Sequence, residues 1–95
     1  MSDWKTIRDR RMAEPGAHEA YLATKLAFEL GASVRAMREA KGMTQKQLAN
    51  AAGMTQPAVA RFEAGGTVPT IPVLERLALA LDGELTVSVH PRTAA

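Results

Sequence analysis

Apolar residues fall along this chain at two different periods, and the period changes near residue 84. Leu22, Leu26, Leu30, Val34 and Met37 recur at spacings of four and three, an apolar stripe at the helical repeat from about His18 to Ala40. Gly31 interrupts the stripe and leaves open whether one helix or two cover it. Lys41-Gly42 closes it, with glycine at the usual left-handed exit. Thr44-Gln45-Lys46-Gln47 has the spacing of a capping box, a hydroxyl cap with glutamine three residues on, and predicts a helix that ends at Ala51-Ala52-Gly53. Thr55 is the next cap. Gln56 and Pro57 fall in the first turn, where the missing proline N–H loses no helical bond. Gly65-Gly66 ends that helix. Thr70 caps another, with Pro72 in its first turn, Leu74, Leu77, Ala78 and Leu81 along one face, and Asp82-Gly83 as its stop. From Glu84 to His90 the pattern alternates strictly, with Leu85, Val87 and Val89 on one side. That alternation predicts a half-buried strand closed by Pro91.

The first fifteen residues are charged, carry Trp4, Ile7 and Met12 among the charges, and end in the breaker Glu14-Pro15-Gly16. The expected organisation is therefore an arm over 1–15, a helical domain over 16–83, a strand over 84–90 and a tail over 91–95. The chain's 95 residues suit one domain, and 46% apolar residues with only four aromatics imply a core of Leu, Val, Ala and Met. The absence of cysteine excludes a disulfide framework and thiolate metal sites and fits a cytoplasmic setting. Apolar runs such as Leu77–Leu81 are far below the ~18 residues of a membrane span, and the charged opening does not read as a secretory signal. Net charge is +2, with eight Lys/Arg against six Asp/Glu in residues 1–43 and four against four in the rest. Such a balance does not by itself indicate nucleic acid. His18 and His90 have no ligand spacing around them and read as surface residues, so neither a metal nor a cofactor is expected. No nucleophile–base pair or phosphate-cradling glycine loop points to an enzyme.

The chemistry lies in the two short helices joined at Gly53. Two such helices about a glycine turn form the helix-turn-helix unit of DNA-binding proteins. If Gly53 makes the turn, Ala49 sits where the helices cross and must be small, while Leu48, Val59 and Phe62 point inward. Thr55, Gln56, Ala58 and Arg61 are left on the outer face of the second helix, near its start, the part that enters a major groove. Arg61 is either a base or phosphate contact or an ordinary solvated charge, and Lys46 either a phosphate contact or a solubilising one.

The stretch "MTQKQLANAAGMTQPAVARFEAG" resembles the Cro/C1-type (XRE) helix-turn-helix of phage repressors and bacterial regulators, through TQxxLA, then AG, then TQxxVxxxExG, over roughly Ser33 to Leu81. The resemblance implies that Thr44, Gln45 and Lys46 lie at the DNA, with Gln45 on a phosphate and Gln56 reading a base, most naturally adenine. It also implies a structural ion pair between Arg38 and Glu63. Two departures stand out. Pro57 replaces a polar base reader found in many relatives, and the Gly65–Thr70 loop lacks the Lys or Arg that often grips phosphate there. With so little charge, two copies are expected to bind together at half-sites ~34 Å apart. An unpaired strand exposes its backbone groups, so Leu85, Val87 and Val89 are expected in an antiparallel ribbon with a second copy.

The ending "LALALDGELTVSVHP" and the additional N-terminal segment look like HigA- and HipB-type antitoxins, which repress their own operons and neutralise a co-encoded toxin. That narrower resemblance implies a RelE/HigB-like ribonuclease toxin as partner. The alternative is a stand-alone XRE-type regulator without one. The arm then has two readings: Trp4 and Ile7 dock on their own domain, or they join Tyr21 and Phe28 in holding the toxin. The expected fold is all-α, a five-helix lambda-repressor-like DNA-binding domain with an N-terminal helical extension and one C-terminal β-strand pairing across a homodimer on operator DNA.

Overall fold

Three threonines set the boundaries of the short helices. In the computed structural model, which describes residues 16–92, helix α1 spans Ala17–Ala40, α2 Gln45–Ala52, α3 Gln56–Glu63 and α4 Ile71–Ala80. Thr44, Thr55 and Thr70 each sit in extended backbone before a helix and accept the amide three residues on. Each thereby satisfies one of the N–H groups that a helix start leaves without a partner. At Thr44 the box closes in both directions, since the Gln47 side chain accepts from the Thr44 N–H at 2.8 Å while the Gln47 N–H donates to Thr44 Oγ1 at 3.0 Å. Pro57 and Pro72 lie in the first turns of α3 and α4. Gly53 ends α2 with φ +68°, a left-handed turn that glycine adopts without steric cost.

The core gathers Leu48, Ala49 and Ala52 from α2, Val59 and Phe62 from α3, and Leu77 and Leu81 from α4 and its end. Leu48, Val59 and Leu77 are fully buried, each contributing roughly 1.5–3 kcal/mol of apolar burial. Ala49 is buried, and α2 packs against both α3 and α4. α1 lies across α3.

α1 is continuous through Gly31. The face it turns inward differs from the leucine stripe. Ala27 and Gly31 are its buried residues, and Leu30 and Val34 pack on the core beside them, whereas Leu22, Leu26 and Met37 are largely exposed. The reason is distance. A Cβ at Gly31 would stand 2.3 Å from the Phe62 carbonyl oxygen and 2.9 Å from that of Glu63. α1 meets the end of α3 backbone to backbone, and only small residues fit at that seam.

The five-helix fold with a terminal strand is not what forms: there are four helices and no strand among the described residues. Residues 84–90 carry no ladder. Leu85 is half-buried in an apolar groove of about 360 Å³ lined also by Leu26, Leu30, Val68, Ile71 and Leu74, while Val87 and Val89 are exposed. Alternation reports which side chains seek cover, but a strand also needs a neighbour for its backbone groups. No other extended segment of residues 16–92 is paired with this one. The expected N-terminal helical extension lies outside the described residues.

Candidate nucleic-acid interface

α2 and α3 each begin with Thr-Gln, so each places a glutamine at the first position of a capped helix. Residues 56 and 63 are two turns apart on α3 and therefore share one side of it. Through that side run the polar contacts that tie the helix pair together. Arg38, from α1, donates through Nε to Glu63 Oε2 at 2.7 Å and through Nη2 to Glu63 Oε1 at 3.0 Å. Its Nη1 donates to the Met43 carbonyl at 2.8 Å, which fixes the guanidinium against the loop before α2. Gln45 Nε2 donates to Glu63 Oε1 at 3.1 Å, and Gln56 Nε2 donates to Gln45 Oε1 at 2.8 Å. The path from Arg38 to Gln56 thus links three helices, and no buried side-chain nitrogen or oxygen among the described residues lacks a partner.

The pair at its root is well shielded, with side-chain exposures of 12% for Arg38 and 3% for Glu63. Burial pushes the Glu63 carboxyl up. Hydrogen bonds from Arg38 and Gln45, together with the charges of Arg38 and Arg35, outweigh it and hold the group below its ordinary value. The hydrogen bond to Glu63 holds the Arg38 guanidinium above its own ordinary value, against a smaller opposing effect of burial. A depressed carboxyl favours the folded state above its unfolded pKa and ceases to do so as pH falls through the folded value. The melting midpoint is therefore expected to drop on acidification below about pH 5, and Glu63→Gln to lessen that drop. Equal acid slopes for both chains in thermal melts would dismiss Glu63 as the group responsible.

Thr44, Lys46, Thr55, Gln56 and Arg61 are exposed, and Gln45 and Ala58 are half-buried. Gln45 spends its oxygen and one N–H on the network and keeps one amide N–H for another acceptor. Arg61 extends beside Gly66, along a shallow cleft shared with Met54, Ala58, Thr67 and Thr70. At eight residues, α3 is ~12 Å long, comparable to the width of a B-DNA major groove.

The other site residues expected from sequence fall elsewhere. Leu85, Val87 and Val89 lie in the unpaired tail. Tyr21 is half-buried on α1, and Phe28, seven residues on, is 63% exposed with its backbone against Gly65. Trp4 and Ile7 lie outside the described residues. His18 and His90 stand at opposite ends of residues 16–92, and no cluster of three or more potential metal ligands occurs among the described residues. Nor is any described helix long and apolar enough to cross a membrane. The Met43 carbonyl and the two glutamine hydrogen bonds are the partners that sequence reasoning missed. The repeated Thr-Gln start was the only signal for them.

A family model described as Helix-turn-helix matches residues 34–87, from the second half of α1 through α4 into the tail. A protein of Haemophilus influenzae named "Uncharacterized HTH-type transcriptional regulator" is 33% identical over 86 residues, covering 90% of this chain and 84% of the relative. No solved structure matches the chain. With more than half of its length matched by the family model, and with a relative of this identity and coverage, the chain belongs to the XRE-type helix-turn-helix family.

Proposed function

We propose that the chain is a sequence-specific, double-strand DNA-binding transcriptional regulator, acting as a repressor at its operator. The observation that carries this is the outer side of the helix pair: Thr55 capping α3 and Gln56 and Arg61 on it, all exposed, with Gln56 anchored to Gln45 at the start of α2. α3 enters the major groove by its first turn, and Gln56 pairs with an adenine. The free N–H of Gln45, with Thr44 and Lys46, faces the phosphates beside it, and Ala58 and Arg61 line the wall of the groove. The relative's name, a transcriptional regulator, agrees with this reading.

The face bears few cations, and one copy gives little phosphate affinity. We therefore infer that two copies act together on paired half-sites. The antitoxin reading leaned on a terminal strand and an extra N-terminal helix. The strand is not formed among the described residues and the relative is named for regulation alone, so the function proposed here is that of a stand-alone regulator.

Gln56→Ala is expected to lose about 1–3 kcal/mol of discrimination at one base position and leave the other positions unchanged. Gel shifts with a site selected from random sequence, and with its single-base variants, measure this. An unaltered base preference would remove Gln56 as the reader, and a stoichiometry of one chain per site would remove the paired-copy binding.

A further inference from the structure

We infer that Glu63, which never faces the groove, sets the hydrogen-bond polarity that Gln56 offers to a base, acting as a positioning residue through Gln45. The inference rests on the proposed DNA reading for its consequence, though not for its geometry. A glutamine amide is nearly symmetric in shape, so its two orientations usually compete, and each reverses the positions of donor and acceptor. Here one neighbour removes the choice. The Glu63 carboxylate can only accept, and Arg38 grips both of its oxygens, at 2.7 and 3.0 Å. A reversed Gln45 would set its oxygen against Glu63 Oε1 in place of the N–H donor now found at 3.1 Å. With the carboxylate side chain only 3% exposed, water cannot screen that repulsion.

The direction then passes on. With its N–H₂ committed to Glu63, Gln45 turns its oxygen to Gln56, which must answer with its own N–H₂, as found at 2.8 Å. Gln56 is left with its oxygen and one N–H for the groove. That is one acceptor beside one donor, the complement of the adenine N6–H and N7 pair, whereas guanine offers two acceptors. The amide is therefore oriented before DNA arrives, and the information that orients it is the negative charge at the far end of the same helix. A neutral amide at position 63 can donate or accept, and the direction is lost.

Two measurements on the full chain test this. In the ¹⁵N-labelled protein without DNA, the one side-chain amide proton of Gln56 that is bonded to Gln45 is expected to exchange with water more slowly than its free partner, and several-fold faster in Glu63→Gln. Gln45→Met, which leaves Arg38 and Glu63 together, guards against a Glu63 variant that does not fold and should release Gln56 in the same way. Unchanged Gln56 exchange in Gln45→Met would overturn the relay. The second measurement is binding to the selected site and its single-base variants. A bidentate contact gives roughly 5- to 140-fold preference for its base, and this is expected to collapse to near parity in Gln45→Met. Loss of a phosphate contact alone weakens all sequences alike. Uniform weakening with the preference intact would therefore overturn the relay and leave the regulator reading standing. A wild-type chain with slow Gln56 exchange but no sequence preference would overturn the regulator reading, and with it the base selection ascribed to Glu63.

Discussion

Gly31→Ala is expected to destabilise the fold by about 2 kcal/mol or more, although alanine is the better helix former by ~1 kcal/mol. The added methyl has no room, since its carbon would lie 2.3 Å from the Phe62 carbonyl oxygen and 2.9 Å from the Glu63 oxygen. Both obstacles are backbone at the end of α3, so no side chain can rotate aside. Either α1 lifts away or the last turn of α3 is deformed, and overpacking of this kind typically costs 1–3 kcal/mol, occasionally more. The displacement would reach function as well, because the peptide being pushed is that of Glu63, which holds Gln45. Chemical denaturation of the two chains measures the effect. A variant as stable as the parent would mean that the seam between α1 and α3 is looser than the distances state. The leucines of the same helix supply a contrast: Leu26 is 56% exposed, and Leu26→Ala should cost far less.

Arg38→Ala is expected to cost about 3 kcal/mol, the usual consequence of leaving a buried carboxylate without its cation. Three hydrogen bonds are lost together, two to Glu63 and one to the Met43 carbonyl. The removed side chain is only 12% exposed, so water reaches the abandoned groups poorly. The exposed pairs Arg35–Glu39 at 2.7 Å and Lys41–Asp82 at 2.8 Å are just as short, yet they lie in solvent and their loss should be barely measurable. Removing both buried partners separates the penalty from the pair's own worth. Arg38→Met with Glu63→Leu is expected to recover most of the stability that Arg38→Ala loses, since two apolar groups strand no charge. Urea unfolding of the single and double variants gives the cycle. If Arg38→Ala unfolds at the parent's midpoint, the contacts with Glu63 carry no stability.

The local elements were legible because their signals are local. A threonine three residues before a free amide and a proline in a first turn act within four residues, and the glycine at Gly53 acts within its own turn, so Thr44, Thr55, Thr70 and Gly53 marked their helices without knowledge of the rest. The inward residues Leu48, Ala49, Val59 and Phe62 followed from helical period once those boundaries stood. Three features were not legible. Gly31 looked like a possible break, because its use is a contact with residues 62 and 63, which no local pattern registers. The leucine stripe on α1 identified a helix but not its inner face, since backbone approach favours the small side chains of Ala27 and Gly31 over the apolar ones beside them. The alternation over 84–90 indicated one-sided cover, but only Leu85 finds any, half-buried at the groove, while Val87 and Val89 stay exposed and the segment pairs with no strand among the described residues.

By itself, then, the sequence determined where the short helices start and stop and which of their residues turn inward or outward, since capping and periodicity are decided within a few residues. Only the tertiary structure decided how closely α1 approaches α3, where the tail lies, and that Arg38, Glu63, Gln45 and Gln56 form one directed chain of hydrogen bonds. Those depend on distances between segments far apart in sequence, 25 residues for Arg38 and Glu63, which packing alone sets.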